Sequence, residues 1–358
     1  MVGLNFHHGV RMRVHTAVSP NYLERIADPN NRFHDDFLAY KARQFSRQGL
    51  IERLPHVAIV GDSLSRNVYV STPLGTAWRA YRARPNGWFL NTEGDRAGIY
   101  SLFERLDELT PLVVTEYGGI GAMLGGDACR LGLFRRILRT RNFSGQVDRI
   151  LFEKRFPDLI LIWIGHNNVD WACWCAPHDL SNPEHRLAIQ RQYFRENYER
   201  QVRRLVDRAI SSRRPVAIII YALANFASFF KARDTAAALR EKNRELYPHL
   251  GADVRHFISM RPEYRKSLIR LVAMVNEDLS EMATRLQDEI GSGDVHHVQV
   301  RYSDALAKVD LSPVETIHPV DAWHPSAKGH NAFSEAAFNS LTPVLEFLRI
   351  GPPRMAVR

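Results

Sequence analysis

The run Pro157-Asp158-Leu159-Ile160-Leu161-Ile162-Trp163-Ile164 passes directly into Gly165-His166-Asn167-Asn168, and it constrains this chain more than any other stretch. Its apolar part is short, β-branched and without a polar position to turn toward water, so it reads as a buried strand. Four further strands are expected at 57–61, 111–115, 215–221 and 297–301, each a short apolar or β-branched run bounded by turn residues. Between them lie helical patterns. From Glu184 to Arg213 the residues Leu187, Phe194, Tyr198, Val202, Leu205 and Val206 recur at three- and four-residue steps, with arginines on the other face. A second such helix carries Leu268 through Ile290, with Gly291 where a C-terminal cap belongs. Alternation of this kind implies a parallel sheet covered by helices on both faces. Right-handed crossovers then place the functional loops at the carboxyl ends of the strands.

With 358 residues and 45% hydrophobic content, the chain can bury a large core, and length alone allows one domain or two. The first 55 residues are polar and mixed, with Ser19-Pro20-Asn21 as a helix start, and are expected to form a helical extension packed on a domain spanning 56–350. An insertion at about 222–262 contains Phe226, Phe229 and Phe230 followed by a charged helix; it is either packing or part of a substrate-covering lid.

Two motifs far apart in the chain carry the chemistry. Gly61-Asp62-Ser63-Leu64 closes the first apolar run, and Asp321-Ala322-Trp323-His324-Pro325 precedes the last helical stretch. A serine hydroxyl attacks an acyl carbon only when a neutral imidazole takes its proton, and the imidazolium that results needs a carboxylate on its other nitrogen. Ser63, His324 and Asp321 are the residue types for nucleophile, base and orienter. Charge growing on the carbonyl oxygen must also meet donors already in place. The N–H of Ser63, the N–H of Gly121 in the glycine-rich Gly118-Gly119-Ile120-Gly121, and the side chain of Asn167 are suited to this, with Leu64, His166 and Trp323 as pocket neighbours. Singly, each residue has a plainer explanation. Ser63 fits a helix N-cap, Asp62 a turn-stabilising carboxylate, His324 a packed histidine and Ser326 a helix start. His166 is better suited to shaping the pocket beside Asn167 than to binding zinc, since the histidines lack metal-ligand spacing. Their co-occurrence in order, at strand ends, favours the enzyme. No metal or organic cofactor is required by this chemistry.

These blocks resemble those of the SGNH hydrolases, the GDSL esterase/lipase family, over roughly Pro55 to Leu345. The first block is Gly61 through Leu64, the second falls on Glu116 through Gly121, the third is Gly165 through Asn168, and the last is Asp321 through Pro325. The resemblance implies an α/β fold, a flavodoxin-like three-layer α/β/α sandwich with a mainly parallel five-stranded sheet, and a serine carboxylic ester hydrolase acting on lipid or other acyl esters. Two positions depart from the family pattern: Glu116 replaces the second-block asparagine and Asn168 the third-block aspartate. Ile162 through Asn168 with Cys173-Trp174-Cys175, and His324 through His330, are most similar to the phospholipase B-like branch, a likeness that implies an oxidised bond involving Cys173 or Cys175. The odd count of Cys129, Cys173 and Cys175 does not point to a disulfide framework. On the same scaffold stand a carbohydrate O-acetyl esterase or acetyltransferase, and, in a different class, a catalytically silent binding protein.

A net charge of +9 is compatible with acidic partners, including peripheral contact with an anionic membrane surface, but the arginines are scattered over helical faces as in an ordinary solvated surface. The window Trp78 through Phe89 interleaves aromatic and basic residues close after the nucleophile motif, which suits an acyl-binding mouth or membrane interface; with no recognised binding module beside it, nucleic acid is not expected. No segment is long enough to span a bilayer, and the N-terminus has no apolar signal-like run. The expectation is a soluble, cytoplasmic protein, with export by another route or a trimmed signal peptide as the alternatives.

Overall fold

The expected apolar runs become strands in a single sheet. The computed structural model describes residues 14–65, 87–92, 98–119, 122–124, 142–172, 183–247, 262–319, 322 and 324–351. The strands are β1 (His15–Val18), β2 (His56–Gly61), β3 (Val113–Glu116), β4 (Leu159–Trp163), β5 (Val216–Tyr221) and β6 (Val298–Ser303), ordered β1-β3-β2-β4-β5-β6. From β2 to β6 all pairings are parallel. Taken alone, these five are wound 2-1-3-4-5, the flavodoxin-like order, and the winding reverses direction between β2 and β4. Every residue of β2, β4 and β5 is buried, as a sheet covered on both faces requires. Edge strand β6 alternates inward Val298 and Val300 with exposed or half-exposed Gln299 and Arg301.

The helices are α1 (Tyr22–Ala27), α2 (His34–Lys41), α3 (Arg47–Ile51), α4 (Leu102–Leu109), α5 (Phe143–Phe152), α6 (His166–Ala172), α7 (Pro183–Ser212), α8 (Phe226–Lys242), α9 (Pro262–Ser292), α10 (Ala327–Ser340) and α11 (Thr342–Phe347). The sixth strand is where structure and sequence differ. Strand β1 lies in a stretch expected to be helical, and it pairs antiparallel with β3, covering an edge that would otherwise expose unpaired backbone groups. Helices α1 to α3 gather behind it around a second small apolar cluster of Tyr22, Ile26, Phe33, Leu50 and Leu54. Helix α9 runs past Gly291 to Ser292. The left-handed turn that ends it falls on Asp294 at φ 56°, and Val295 N–H closes on Ile290 O at 3.3 Å.

The arginine faces of α7 and α9 are joined by ion pairs. Arg191 makes two bonds to Asp278, at 2.6 and 2.8 Å, and Glu199, Arg203, Arg285 and Glu289 form a network between the same helices. Part of the basic excess is therefore paired within the fold. In the insertion, Phe226, Phe229 and Phe230 of α8 are buried in the main core, so its described part is packed rather than free. Trp88 and Phe89, at the end of the aromatic and basic window, are fully buried, with Trp88 edge-on to Trp163 at 5.5 Å. Those two rings are core, not mouth; positions 78–86 lie outside the described residues, as do Cys129, Cys173 and Cys175. Among the described residues no helix is long and apolar enough to cross a membrane.

Candidate active site

Strand β2 can end as it does only with glycine at position 61. A Cβ there would stand 2.1 Å from Ser65 Oγ, which tucks under the turn toward Trp163 O at 3.4 Å. Both polar groups of Gly61 are held by one side chain on α5. Gly61 N–H donates to Gln146 Oε1 at 2.9 Å, and Gln146 Nε2 donates to Gly61 O at 2.8 Å. The next residue, Asp62, is completely buried. Its Oδ1 accepts Leu64 N–H at 3.0 Å, and its Oδ2 lies 2.8 Å from His166 Nδ1. The other ring nitrogen, Nε2, accepts Ala224 N–H at 3.1 Å and must be unprotonated to do so. The ring proton is therefore on Nδ1 and is donated to Asp62, which fixes the tautomer of His166. Ser63, 7% exposed, sits on this turn, held from β2, α5 and the loop after β4.

The loop after β4 depends on Gly165, whose φ of +123° is unfavourable for any residue with a Cβ and whose Cβ would meet the Phe194 ring at 2.6 Å. From there Asn167, half-buried, donates Nδ2–H to Ala122 O at 2.9 Å. Asn168, buried, accepts Leu124 N–H at 2.9 Å, and Asn142 accepts Met123 N–H at 3.2 Å. Three amide side chains thus bind three consecutive residues directly after Gly121. The Asn168 departure has a physical account: its oxygen accepts a backbone N–H as a carboxylate would, without placing a charge in a buried site. Glu116 closes β3, 2% exposed, in register with Ile59. Gly121 itself lies outside the described residues.

Around His324 the backbone forms a narrow hairpin. Ile317 pairs with Pro325, His318 N–H donates to His324 O at 2.7 Å, Ala322 N–H to His318 O at 2.9 Å, and Ser326 N–H to Thr316 O at 2.9 Å. Ser326 then caps α10, its hydroxyl accepting Gly329 N–H at 3.3 Å. His324 is half-buried; Asp321 and Trp323 lie outside the described residues. Behind His324, His330 is fully buried. Desolvation first, then the fields of His324 and His318, push its pKa down to about 3, so it is neutral, and Nδ1 accepts Trp88 N–H at 3.3 Å.

Leu64, next to Ser63, and Pro325, next to His324, share the wall of an apolar pocket with Phe226, Phe229, Leu311 and Ile317. The Thr316 hydroxyl and the Asn225 side-chain oxygen that line it are already engaged. Thr316 Oγ1 points at Leu311 O and Pro313 O, and Asn225 caps α8 by accepting from Ala227 and Ser228. Beneath lies an aromatic floor in which Trp163 meets His166 and Phe333, each at 4.9 Å.

Gln146 and Arg233 were not singled out in the sequence. Gln146 does leave a trace there: it is a polar residue on the apolar face of α5, among Phe143, Val147 and Ile150. Arg233 sits likewise among the buried residues of α8.

A flavodoxin-like sheet whose first and third parallel strands bring a Gly-Asp-Ser turn and a Gly-x-Asn-Asn turn together at the switch point defines a class of strand-end hydrolases. Residues 57–337 match the model of the GDSL-like lipase/acylhydrolase family, and the chain belongs to that family. It is an ester-bond hydrolase. Similar solved structures include the lipase Lip_vut3 from a goat rumen metagenome, 13% identical, with a TM-score of 0.42 over 80% of this chain and 97% of that one. Another is phospholipase A1 from Streptomyces albidoflavus NA297, 14% identical, with a TM-score of 0.40 over 80% of this chain and 98% of that one. A search of curated proteins found no match.

Proposed function

We propose that the chain hydrolyses a carboxylic ester in two acyl-transfer steps, with Ser63 as nucleophile, His324 as base and Asp321 as its orienter. The observation that carries this reading is the convergence of the two motifs: the residue after the serine and the residue after the histidine line one pocket, beside a turn whose Asp62 is held by Leu64 N–H and His166. His324 takes the hydroxyl proton as Ser63 Oγ bonds to the carbonyl carbon. The oxyanion is held by Ser63 N–H, Gly121 N–H and Asn167, and His324 then delivers the proton to the leaving alcohol. Water activated by the same imidazole releases the acid and restores the serine. One Asn167 N–H is used on Ala122 O, which holds the amide plane steady; the second is the one an oxyanion takes.

The pocket supports an acyl ester, lipid-like in its acid part, as substrate. Its wall is mainly hydrocarbon and aromatic, and the Thr316 hydroxyl and Asn225 Oδ1 are already used within the fold, which favours an apolar acyl group over the hydroxyls of a sugar. Mass-spectrometric mapping of a fluorophosphonate adduct tests the reading. Labelling at Ser63 that vanishes in Ser63→Ala and His324→Ala is the expected result; a folded protein that stays unlabelled is a binding protein instead.

A further inference from the structure

We propose that Arg233 is a positioning residue for the base, setting the His324 loop through a single backbone carbonyl. The inference rests on the reading of His324 as base. Arg233 lies on α8, inside the segment that the sequence marks as an insertion serving as packing or lid, and it is 4% exposed. Its Nη1–H donates to Ala322 O at 2.9 Å. Ala322 stands between Asp321 and His324, is itself fully buried, and has φ 51°, a left-handed conformation that a residue with a Cβ seldom adopts. The backbone there is doubly constrained: Ala322 N–H is fixed on His318 O, and its carbonyl on the guanidinium. A charge-assisted bond to that oxygen sets the plane of the peptide leading toward His324, and with it the direction from which the imidazole approaches Ser63.

The rest of α8 is built to keep Arg233 at this point. Asn225 caps its first turn, Ser228 Oγ accepts Leu311 N–H at 3.2 Å, and Phe226 and Phe229 pack against Leu311 and Ile317 in the shared pocket. The helix thus touches the segment from Leu311 to Ala322 at three successive places, and the last of them is the arginine. A cation removed from water carries a heavy desolvation cost, which a purely space-filling position would avoid with methionine or leucine.

The test uses the full-length protein with Arg233→Met, Arg233→Lys and Arg233→Ala, measuring thermal unfolding, kcat and KM on a chromogenic ester, and the rate of fluorophosphonate labelling at Ser63. Arg233→Met is expected to lower kcat and the labelling rate on the order of 10²-fold, the scale set by an ångström of misplacement, with KM within about twofold of the parent. Arg233→Lys keeps the charge without the planar fork and should fall between. Added ethylguanidinium should restore part of the labelling rate in Arg233→Ala and leave the parent unchanged. Folded Arg233→Met that labels within about twofold of the parent overturns the assignment. So does a loss that follows the folded fraction with no rescue, or failure of all three variants to fold, since Arg233 would then serve the fold alone. Failure of the parent itself to label at Ser63 removes the reading beneath it, an outcome distinct from the others.

Discussion

The two halves of the candidate site are held in opposite ways. The Ser63 turn is braced by side chains from several directions: Gln146 on both groups of Gly61, and Asp62 between Leu64 N–H and His166. The His324 loop is held mainly by its own backbone, in a hairpin with a left-handed alanine whose carbonyl meets the Arg233 guanidinium. A turn with several side-chain braces loses stability before it loses geometry, whereas a backbone hairpin whose strained residue is pinned by one guanidinium loses geometry first when that cation is removed. The substitutions below are chosen to separate these two behaviours.

The largest effect is expected where chemistry itself is removed. Ser63→Ala or His324→Ala should lower kcat on the order of 10⁶-fold with the melting temperature little changed, because members of such a unit act together. A double variant no worse than either single one would sharpen the point. Next, Asn167→Ala should cost about 10²–10³ in turnover, the loss expected for one oxyanion donor; steady-state kinetics at saturating ester would measure it. Full activity in that variant would show that the third block is placed wrongly.

Gln146→Leu probes the braced side. It leaves the buried Gly61 N–H without its side-chain acceptor and takes one of two donors from Gly61 O, which keeps Gly119 N–H at 3.1 Å, so denaturant unfolding should show a loss of about 1–3 kcal/mol. The labelling rate per folded molecule should fall much less than in Arg233→Met. If the order were reversed, the contrast between the two loops would be wrong.

The smallest expected effect on turnover at neutral pH belongs to two buried histidines, whose titration changes stability in acid instead. His56 and His330 are buried, and desolvation lowers their pKa values from 6.5 to about 4 and about 3. Below 6.5 the unfolded chain takes up protons that the folded chain refuses, so the stability these residues contribute is complete above that pH. It is lost as pH falls toward the folded values, with a slope of about 1.4 kcal/mol per pH unit for each histidine at most. His56→Gln, which keeps a polar partner for Thr115 Oγ1, should flatten this acid limb in urea titrations.

Much of the fold was legible because burial on both faces leaves an unmistakable mark: β2, β4 and β5 are unbroken apolar runs, and each was placed within a residue or two of its observed bounds. Strand β1 was not legible. Four residues, His-Thr-Ala-Val, half-exposed at a sheet edge, carry no periodic signal, and their state is decided by the free edge of β3. The same contrast holds at the site. The proposed Ser63, Asn167 and His324 stand out by motif, since the chemistry proposed for them dictates residue type and neighbours. Gln146 and Arg233 act through backbone atoms of distant segments, 85 and 89 residues away in sequence. Only a polar residue on an otherwise apolar helix face hinted at them.

The most direct test of the central claim is to mix the enzyme with a chromogenic acyl ester, quench within the first turnover and map the adduct by mass spectrometry. The account predicts a burst of alcohol and an acyl group on the Ser63 hydroxyl that decays with turnover and is absent in His324→Ala. Ester cleavage with no burst and no acyl group on Ser63, or an adduct on another residue, would contradict it.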